Sequence, residues 1–172
     1  IASILLQLGD TGKRVVLLPT ATREGSTKTH NNDLLLIRNI YSATEAPGKE
    51  GWLYIVDWDL GFSDIKNVIQ ISDAVMTFRF HGLIAALSTK RPVLAVGWGH
   101  KYRELMEQFD LSDFELDYGK SSIAEVLERV ETLVENQAAL TRQIEESLPP
   151  IVALCEEQLA YVQKQLDKGT HG

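Results

Sequence analysis

Residues 72–101 read SDAVMTFRFHGLIAALSTKRPVLAVGWGHK, and this stretch decides the fold. Short apolar runs at 74–78 and 92–96 enclose a longer apolar, alanine-containing segment at 81–88. Continuous apolar runs of about four to eight residues are typical of strands buried on both faces, and the longer segment predicts a helix. A strand, a helix and a second strand in this order predict one crossover unit of a parallel sheet.

The same alternation continues on both sides of this unit. Further strands are predicted at 15–18, 52–56 and, as an edge strand, 114–116. Helical spacing of apolar residues predicts helices between the strands, at 34–41, 65–69 and 102–109. The predicted fold class is therefore α/β, a Rossmann-like parallel sheet with helices on both faces. Ligands bind outside the carboxyl ends of the strands in such sheets, so we expect a site in the loops after residues 20, 57, 78 and 96.

The last third of the chain predicts long helices. Ser122 and Glu125 have the spacing of a capping box, which begins an apolar stripe that continues to Ile144. Pro149 and Pro150 are predicted to end or kink this helix, and a second apolar stripe follows them. Because the stripe lacks a sustained heptad, we expect the helices to pack on the preceding domain. Packing on a domain outside this sequence and pairing into a homo-oligomer are the alternatives.

The predicted organisation has three parts. Residues 1–120 form a Rossmann-like domain, residues 121–167 form helices that belong to the same domain, and residues 168–172 form a tail. Apolar residues already repeat with a helical period between Ile1 and Leu8, which favours a chain cut from a longer protein over a complete protein that begins directly with a helix.

Composition narrows the class of partner. Hydrophobic residues make up 44% and charged residues 24%, and the formal net charge is -7, which argues against a broad nucleic-acid-binding surface. No apolar run approaches the roughly 20 residues that a transmembrane helix needs. The single cysteine excludes an internal disulfide and agrees with a reducing compartment, so a cytoplasmic location is expected. The cysteine and the four histidines show no metal-ligand spacing, and no metal or cofactor is predicted.

The candidate chemistry follows the strand at 74–78. That strand delivers Arg79, Phe80 and His81 to its carboxyl end, and Gly82 permits a close approach of the backbone. The free N–H groups of a helix start favour an anion, and the guanidinium of Arg79 offers a planar, charged fork for phosphate or carboxylate. His81 is suited either to donate to a phosphate oxygen or to transfer a proton.

The next strand leads to a second group of candidates. After residue 96 the chain passes through Trp98 and His100 to Lys101. Neighbouring strand ends would place Arg79, His81 and Lys101 around one doubly charged ligand. The alternative for each side chain taken singly is an ordinary solvated or helix-capping role, but burial of three positive groups without an anion would be costly.

The segment 72–101 resembles the C-terminal signature of the polysaccharide pyruvyl transferase family. The resemblance rests on a Ser/Ala-Asp pair at the strand, an Arg-x-His-Gly turn, an alanine-rich helix, a proline-led strand and a lysine. In this chain these are Ser72-Asp73, Arg79-Phe80-His81-Gly82, Ala85-Ala86, Pro92 and Lys101, followed by Leu105 and Phe109-Asp110-Leu111. Gly97-Trp98-Gly99-His100 departs from the family, where a Tyr or other residues more often precede the lysine.

The resemblance implies the C-terminal, donor-binding half of a two-domain, glycosyltransferase-B-like transferase, inactive without its N-terminal domain. It implies phosphoenolpyruvate as donor and a glycan as acceptor, in cell-envelope or exopolysaccharide synthesis, with association at the inner membrane face through the acceptor. Arg79 and His81 are then the expected catalytic residues. The expected substrate-binding residues are these two together with Phe80, Gly82, Lys101, Trp98, His100 and Asp33.

Other loops carry weaker candidates. His30, Asn32 and Asp33 stand in a long polar loop, where capping of the following helix is the favoured role for Asn32 or Asp33. Asp57 and Asp59 follow another strand, either as acid–base groups or as strand-end residues. Tryptophans at 58 and 98 would either stack on sugar faces or pack in the protein.

Two rival functions stay open at this stage. A sugar-nucleotide enzyme, such as a glycosyltransferase or an epimerase, would also place cations at a helix start, although no clear acidic ribose-binding position follows that helix. A non-catalytic regulatory or assembly module is the second rival. Retention of Arg79, His81 and Lys101 argues mildly against it.

Overall fold

Alternating strands and helices occupy the first two thirds of the chain. The computed structural model describes residues 1–22, 32–46, 48–97 and 99–169. The strands are β1 (Val15–Leu17), β2 (Leu53–Ile55), β3 (Val75–Thr77), β4 (Val93–Gly97) and β5 (Glu115–Asp117). The helices are α1 (Ala2–Asp10), α2 (Asp33–Ala43), α3 (Phe62–Gln70), α4 (Phe80–Ser88), α5 (His100–Gln108), α6 (Ile123–Glu135) and α7 (Gln137–Gly169).

Every paired strand in the described residues runs parallel to its neighbour. β1 pairs with β2, with Val15 opposite Leu53, and β4 lies between β3 and β5 in a second sheet. The predicted parallel α/β class is confirmed, but the backbone pairing gives two sheets where the sequence predicted one. Val15 and Leu18 pack against the main core through their side chains. Side-chain contacts therefore join the β1–β2 sheet to the core around the β3–β4–β5 sheet.

The core is built around the unit that the sequence singled out. All of β4 is buried, and Val93, Leu94 and Ala95 have no exposed surface. α4 packs on β3 and β4 and buries Leu83, Ala85 and Ala86 completely, while α6 contacts β4 as well. The predicted strand–helix–strand crossover is thus confirmed, and it fixes the position of the loop between β3 and α4.

Helix starts follow local capping chemistry, with one correction. Asn32 caps α2, since its side-chain oxygen accepts from the Leu34 backbone N–H at 3.2 Å. Ser122 caps α6 in the same way through the Glu125 N–H at 3.1 Å. The serine at position 63 predicts a cap for α3 as well, but this helix begins at Phe62, with Gly61 in the cap position and no side-chain cap.

The prolines of the last helix do not end it. The break that the sequence predicted at Pro149 and Pro150 falls instead at Asn136, which separates α6 from α7. A proline inside a helix removes one hydrogen bond to the carbonyl four residues earlier. Both prolines and the residues at 145 and 146 are exposed. Water can therefore donate hydrogen bonds to the carbonyls that the prolines leave unpaired.

Only the first half of α7 packs on the domain. Leu140 and Ile144 are buried in the core, and Leu148 and Ile151 pack against it. Residues 152–167 are all exposed, among them Leu159 and Leu166. The packing of this helix on the hydrophobic core therefore ends at Ile151. In the described ranges, no helix combines the length and the apolar character needed to cross a membrane.

Candidate functional site

A threonine at the end of β3 sets the geometry of the loop that follows. The Thr77 hydroxyl accepts from the Arg79 backbone N–H at 3.1 Å and donates to the Arg79 carbonyl at 3.0 Å. In such a turn the threonine hydroxyl takes the place of a backbone partner for the residue two positions later, and the chain can change direction directly after the strand. Arg79 is the extended cap residue of α4, and its carbonyl also accepts from the Leu83 N–H at 3.1 Å. The helix therefore starts directly at the carboxyl end of the strand, where its first N–H groups favour an anion.

Gly82 allows the first turn of α4 to lie against the ends of β1 and β3. A Cβ atom at this position would meet the Thr77 hydroxyl oxygen at 2.4 Å and the Thr20 methyl carbon at 3.6 Å. The close approach expected of Gly82 is present, and the neighbour is another part of the chain. Thr20, which follows β1, and Thr77, which ends β3, are thereby brought next to the start of α4.

Arg79 is held by a buried carboxylate. Its Nε and Nη2 atoms both donate to Asp33 Oδ1, at 3.0 and 2.7 Å. The Asp33 side chain is 8% exposed and that of Arg79 34% exposed, so the ion pair is shielded on the Asp33 side and open on the other. The other oxygen, Asp33 Oδ2, accepts from the backbone N–H groups of Thr20 at 3.1 Å and Ala21 at 2.9 Å. The guanidinium is therefore fixed at the edge where β1 and β3 end.

Lys101 reaches the same edge from the next helix. Its Nζ atom lies 4.7 Å from the centroid of the Phe80 ring and 5.7 Å from that of Tyr102, within the range of cation–π attraction. The two rings pack edge to face at 5.5 Å. Because Phe80 is the first residue of α4, these contacts bring the Lys101 ammonium beside the helix start that Arg79 caps.

Tyr102 links the ends of β3 and β4. Its hydroxyl donates to the Phe78 carbonyl at 3.1 Å, and its ring packs so closely on Gly97 that a Cβ there would lie 2.7 Å away. Burial raises the pKa of Tyr102 above its usual 10.0, and the nearby Arg79 charge and a hydrogen bond from the Phe80 backbone oppose that rise. The electrostatic influence of Arg79 on this hydroxyl indicates that Arg79, Phe80 and Tyr102 share one environment.

This pKa gives a pH-dependent prediction for stability. The unfolded chain ionises at Tyr102 near pH 10.0, whereas the folded chain keeps the proton to higher pH. Folded protein then binds more protons than unfolded protein, so the free energy of unfolding falls as the pH rises above 10. In urea titrations at pH 9 and pH 11, Tyr102→Phe should lose less stability between the two pH values than the native chain. Tyr161→Phe, at an exposed position, serves as control and should behave like the native chain; an equal loss in all three proteins would contradict the assignment.

The remaining predicted residues have less defined surroundings. His81 is the second residue of α4 and His100 the first residue of α5, and both are exposed. Trp98 and His30 lie outside the described residues. The described geometry thus brings Arg79, Phe80 and Lys101 together, with His81 one position further along the same helix turn. The roles assigned to these side chains stay predictions.

The acidic candidates after β2 have partners within the protein. Asp57 forms an ion pair with Arg38, and both side chains are about half exposed. Asp59 accepts a hydrogen bond from the Thr22 hydroxyl. Trp58 is 60% exposed, which argues against the alternative that it packs in the core.

The sequence did not indicate Thr77 and Tyr102 as residues that shape this edge. A threonine two residues before a predicted helix cap is a usable signal for the first, and no sequence signal identifies the second.

A cavity of about 320 Å³ lies near this edge but has the wrong character for a charged ligand. Phe78, Val96 and Val126 are among its lining residues, and its few polar neighbours include Ser121 and Ser122. A doubly charged molecule would lose its hydration there without gaining a cationic partner. The residues that line this cavity therefore offer no charged partner to an anion.

Comparison with known proteins gives one match. The family model described as polysaccharide pyruvyl transferase matches residues 1–100, which is more than half of the chain. The matched part includes Asp33, Thr77, Arg79, His81 and Gly82 and ends one residue before Lys101. Comparisons with curated proteins and with solved structures found no match.

Proposed function

Because the chain belongs to the polysaccharide pyruvyl transferase family, we propose that the start of α4 binds phosphoenolpyruvate as the pyruvyl donor. The observation that carries this proposal is the Arg79 guanidinium, fixed by Asp33 at a helix start with Lys101 beside it. Phosphoenolpyruvate carries a phosphate and a carboxylate. Two cationic side chains and a helix start are complementary to such a ligand in charge and in hydrogen-bond donors.

The charge of the whole chain strengthens this reading. With a formal net charge of -7, the protein would repel a small polyanion at most of its surface. A pocket that attracts one must concentrate positive groups locally. Arg79 suits this task because its fork can hold two oxygens at once, and Lys101 suits it as a compact charge steered by the Phe80 ring.

We propose a two-stage transfer. An acid protonates the methylene carbon of phosphoenolpyruvate, and the adjacent carbon gains oxocarbenium character. One sugar hydroxyl attacks that carbon and releases its proton. A second hydroxyl of the sugar then forms a C–O bond to the same carbon as the C–O bond to phosphate breaks, and its proton leaves with the phosphate, so that a cyclic ketal remains. Arg79, Lys101 and the α4 start stabilise the phosphate as it departs, because donors already in place cost no reorganisation at that moment. His81 is the candidate for proton transfer or for phosphate stabilisation.

We propose a division of labour between two domains. In this proposal the chain is the C-terminal, donor-binding half of a glycosyltransferase-B-like enzyme, and the acceptor glycan is held mainly by an N-terminal domain. The reaction takes place in the cytoplasm, with the enzyme drawn to the inner face of the membrane by its acceptor. The isolated chain is expected to bind the donor without completing the transfer.

Calorimetry with the full-length protein tests this function. We expect phosphoenolpyruvate to bind with one molecule per chain, and uridine diphosphate to bind far more weakly. Lys101→Met should weaken donor binding several-fold, because it removes the charge and keeps the side-chain length. Lys90→Met is the control, since that exposed lysine follows the opposite end of α4 and pairs with Glu145. Binding of uridine diphosphate without phosphoenolpyruvate would favour a sugar-nucleotide enzyme, and binding of neither would favour a non-catalytic module.

A further inference from the structure

We propose that Asp33 is a positioning residue that aims Arg79 at the donor, and that it makes no direct contact with the ligand. The inference rests on the function proposed above and deepens it. Sequence reasoning placed Asp33 among the substrate-binding residues. Its surroundings in the folded chain give it a different task.

The contacts of the carboxylate divide between its two oxygens. Oδ1 accepts from two nitrogens of Arg79, at 3.0 and 2.7 Å. Oδ2 accepts from the Thr20 and Ala21 backbone N–H groups and, at 3.3 Å, from the Thr20 hydroxyl. One oxygen therefore holds the guanidinium, and the other anchors the carboxylate to the chain that follows β1.

Direct contact with the donor is unfavourable for this group. An ionised carboxylate next to a phosphate and a second carboxylate adds like charge, and the low exposure of Asp33 reduces the screening by water. Its oxygens also have protein donors already. Both observations favour a role in which Asp33 binds Arg79 and makes no contact with the donor.

What Asp33 supplies is orientation. A free arginine side chain loses rotamer entropy when it binds a ligand, and this loss weakens the binding. An arginine already held by a buried, anchored carboxylate has lost part of that freedom before the ligand arrives, so donor binding is stronger than it would be with a mobile guanidinium.

The same carboxylate joins three segments of the chain. The Asp33 backbone N–H donates to the Ala21 carbonyl at 2.9 Å, and the Ala21 N–H returns a bond of 2.9 Å to Oδ2. Ala21 follows β1, Asp33 begins α2, and Arg79 caps α4. Asp33 therefore fixes the two ends of the intervening segment to each other and to the proposed donor site.

A double-mutant cycle on the full-length protein tests the inference, with the dissociation constant of phosphoenolpyruvate as the readout. Asp33→Asn is close to isosteric. When its oxygen stays on the Thr20 and Ala21 N–H groups, its NH₂ faces the guanidinium, so the ion pair with Arg79 is lost while the anchor is kept. We expect Asp33→Asn to raise the dissociation constant about tenfold in the native background, as one charge-assisted contact is mispositioned. In the Arg79→Ala background the same change should have less than about a twofold effect, since pairs that act as one unit are not additive.

The outcomes separate this inference from the function on which it rests. If Arg79→Ala leaves donor binding unchanged, the proposed function is wrong and the inference falls with it. If Arg79→Ala weakens binding but Asp33→Asn has the same effect in both backgrounds, Asp33 acts independently of Arg79 and the inference alone is overturned. Glu115→Gln, which neutralises a carboxylate of low exposure that pairs with Arg103 at the amino end of β5, is the matched control and should leave binding unchanged. If thermal unfolding shows that Asp33→Asn does not fold, Asp33→Glu takes its place in the cycle, because it keeps the charge and displaces the carboxylate by one methylene. It should likewise raise the dissociation constant in the native background and have little effect in the Arg79→Ala background.

Discussion

Arg79→Ala is expected to raise the dissociation constant of phosphoenolpyruvate by about 10- to 150-fold, because one charge-assisted contact to an anion contributes about 1.5–3 kcal/mol. The Arg79 side chain is 34% exposed, compared with 8% for Asp33, so solvent and small solutes reach part of it. Calorimetric titration of the full-length protein measures the change. Arg79→Lys should fall between the native protein and the alanine variant, because it keeps the charge and loses the planar fork.

A stability control belongs with this experiment. Arg79→Ala leaves the buried Asp33 carboxylate without its cationic partner, and an uncompensated buried charge is destabilising. The double variant with Asp33→Asn should therefore regain stability in a urea titration without regaining donor binding. Arg38→Ala removes an arginine that pairs with Asp57 at about half exposure, and it should change neither quantity appreciably. An Arg79→Ala protein that binds phosphoenolpyruvate as the native protein does would refute the assignment.

Gly82→Ala is the second change with a large expected effect, and here the effect is on folding. An added Cβ would lie 2.4 Å from the Thr77 hydroxyl oxygen, so β3 or α4 must shift. We expect the free energy of unfolding to fall by about 1–3 kcal/mol, the usual cost of overpacking a close-packed site. The sign is informative, because alanine in a helix is intrinsically better than glycine by about 0.5–1 kcal/mol. Donor binding should weaken as well, since Gly82 lies in the turn that carries Arg79 and His81.

Removal of the obstructing oxygen should repair part of the damage. Thr77→Ala alone loses the two hydrogen bonds to Arg79 and is itself destabilising. Combined with Gly82→Ala it also removes the closest contact, so the double variant should lose less stability than the sum of the single changes. Gly51→Ala is the control, because a Cβ there meets nothing within 4 Å. Strict additivity, or a Gly82→Ala protein as stable as the native one, would contradict the packing account.

The part of the fold that the sequence predicts best is the part with the simplest pattern. The apolar runs before Arg79 and after Arg91 admit only buried strands, and the segment between them is too apolar to be a loop. The division into two sheets could not be predicted, since it depends on whether β1 and β3 lie close enough to pair, which no local pattern reports. The sequence could not decide whether α7 ends at Pro149 or continues through it. The free-energy cost of a proline depends on whether water can reach the carbonyl that it leaves unpaired, which is a property of the folded chain.

The candidate site likewise has residues that the sequence predicts and residues that it does not. Arg79, His81 and Lys101 could be placed near one strand edge from the order of strands and helices, because that order fixes where the carboxyl ends lie. The ion pair between Asp33 and Arg79 joins residues 46 positions apart, and nothing in either local sequence indicates it. Thr77 and Tyr102 act through contacts that exist only after α4 and α5 have packed, so their part in shaping the edge belongs to the folded chain.

A crystal structure of the full-length protein with phosphoenolpyruvate bound tests the central claim most directly. The account predicts that the phosphate or carboxylate of the donor lies within hydrogen-bond distance of the Arg79 guanidinium at the start of α4, with Lys101 beside it and Asp33 still holding Arg79 from behind. A donor bound elsewhere, or an Arg79 side chain turned away from it, would contradict the account.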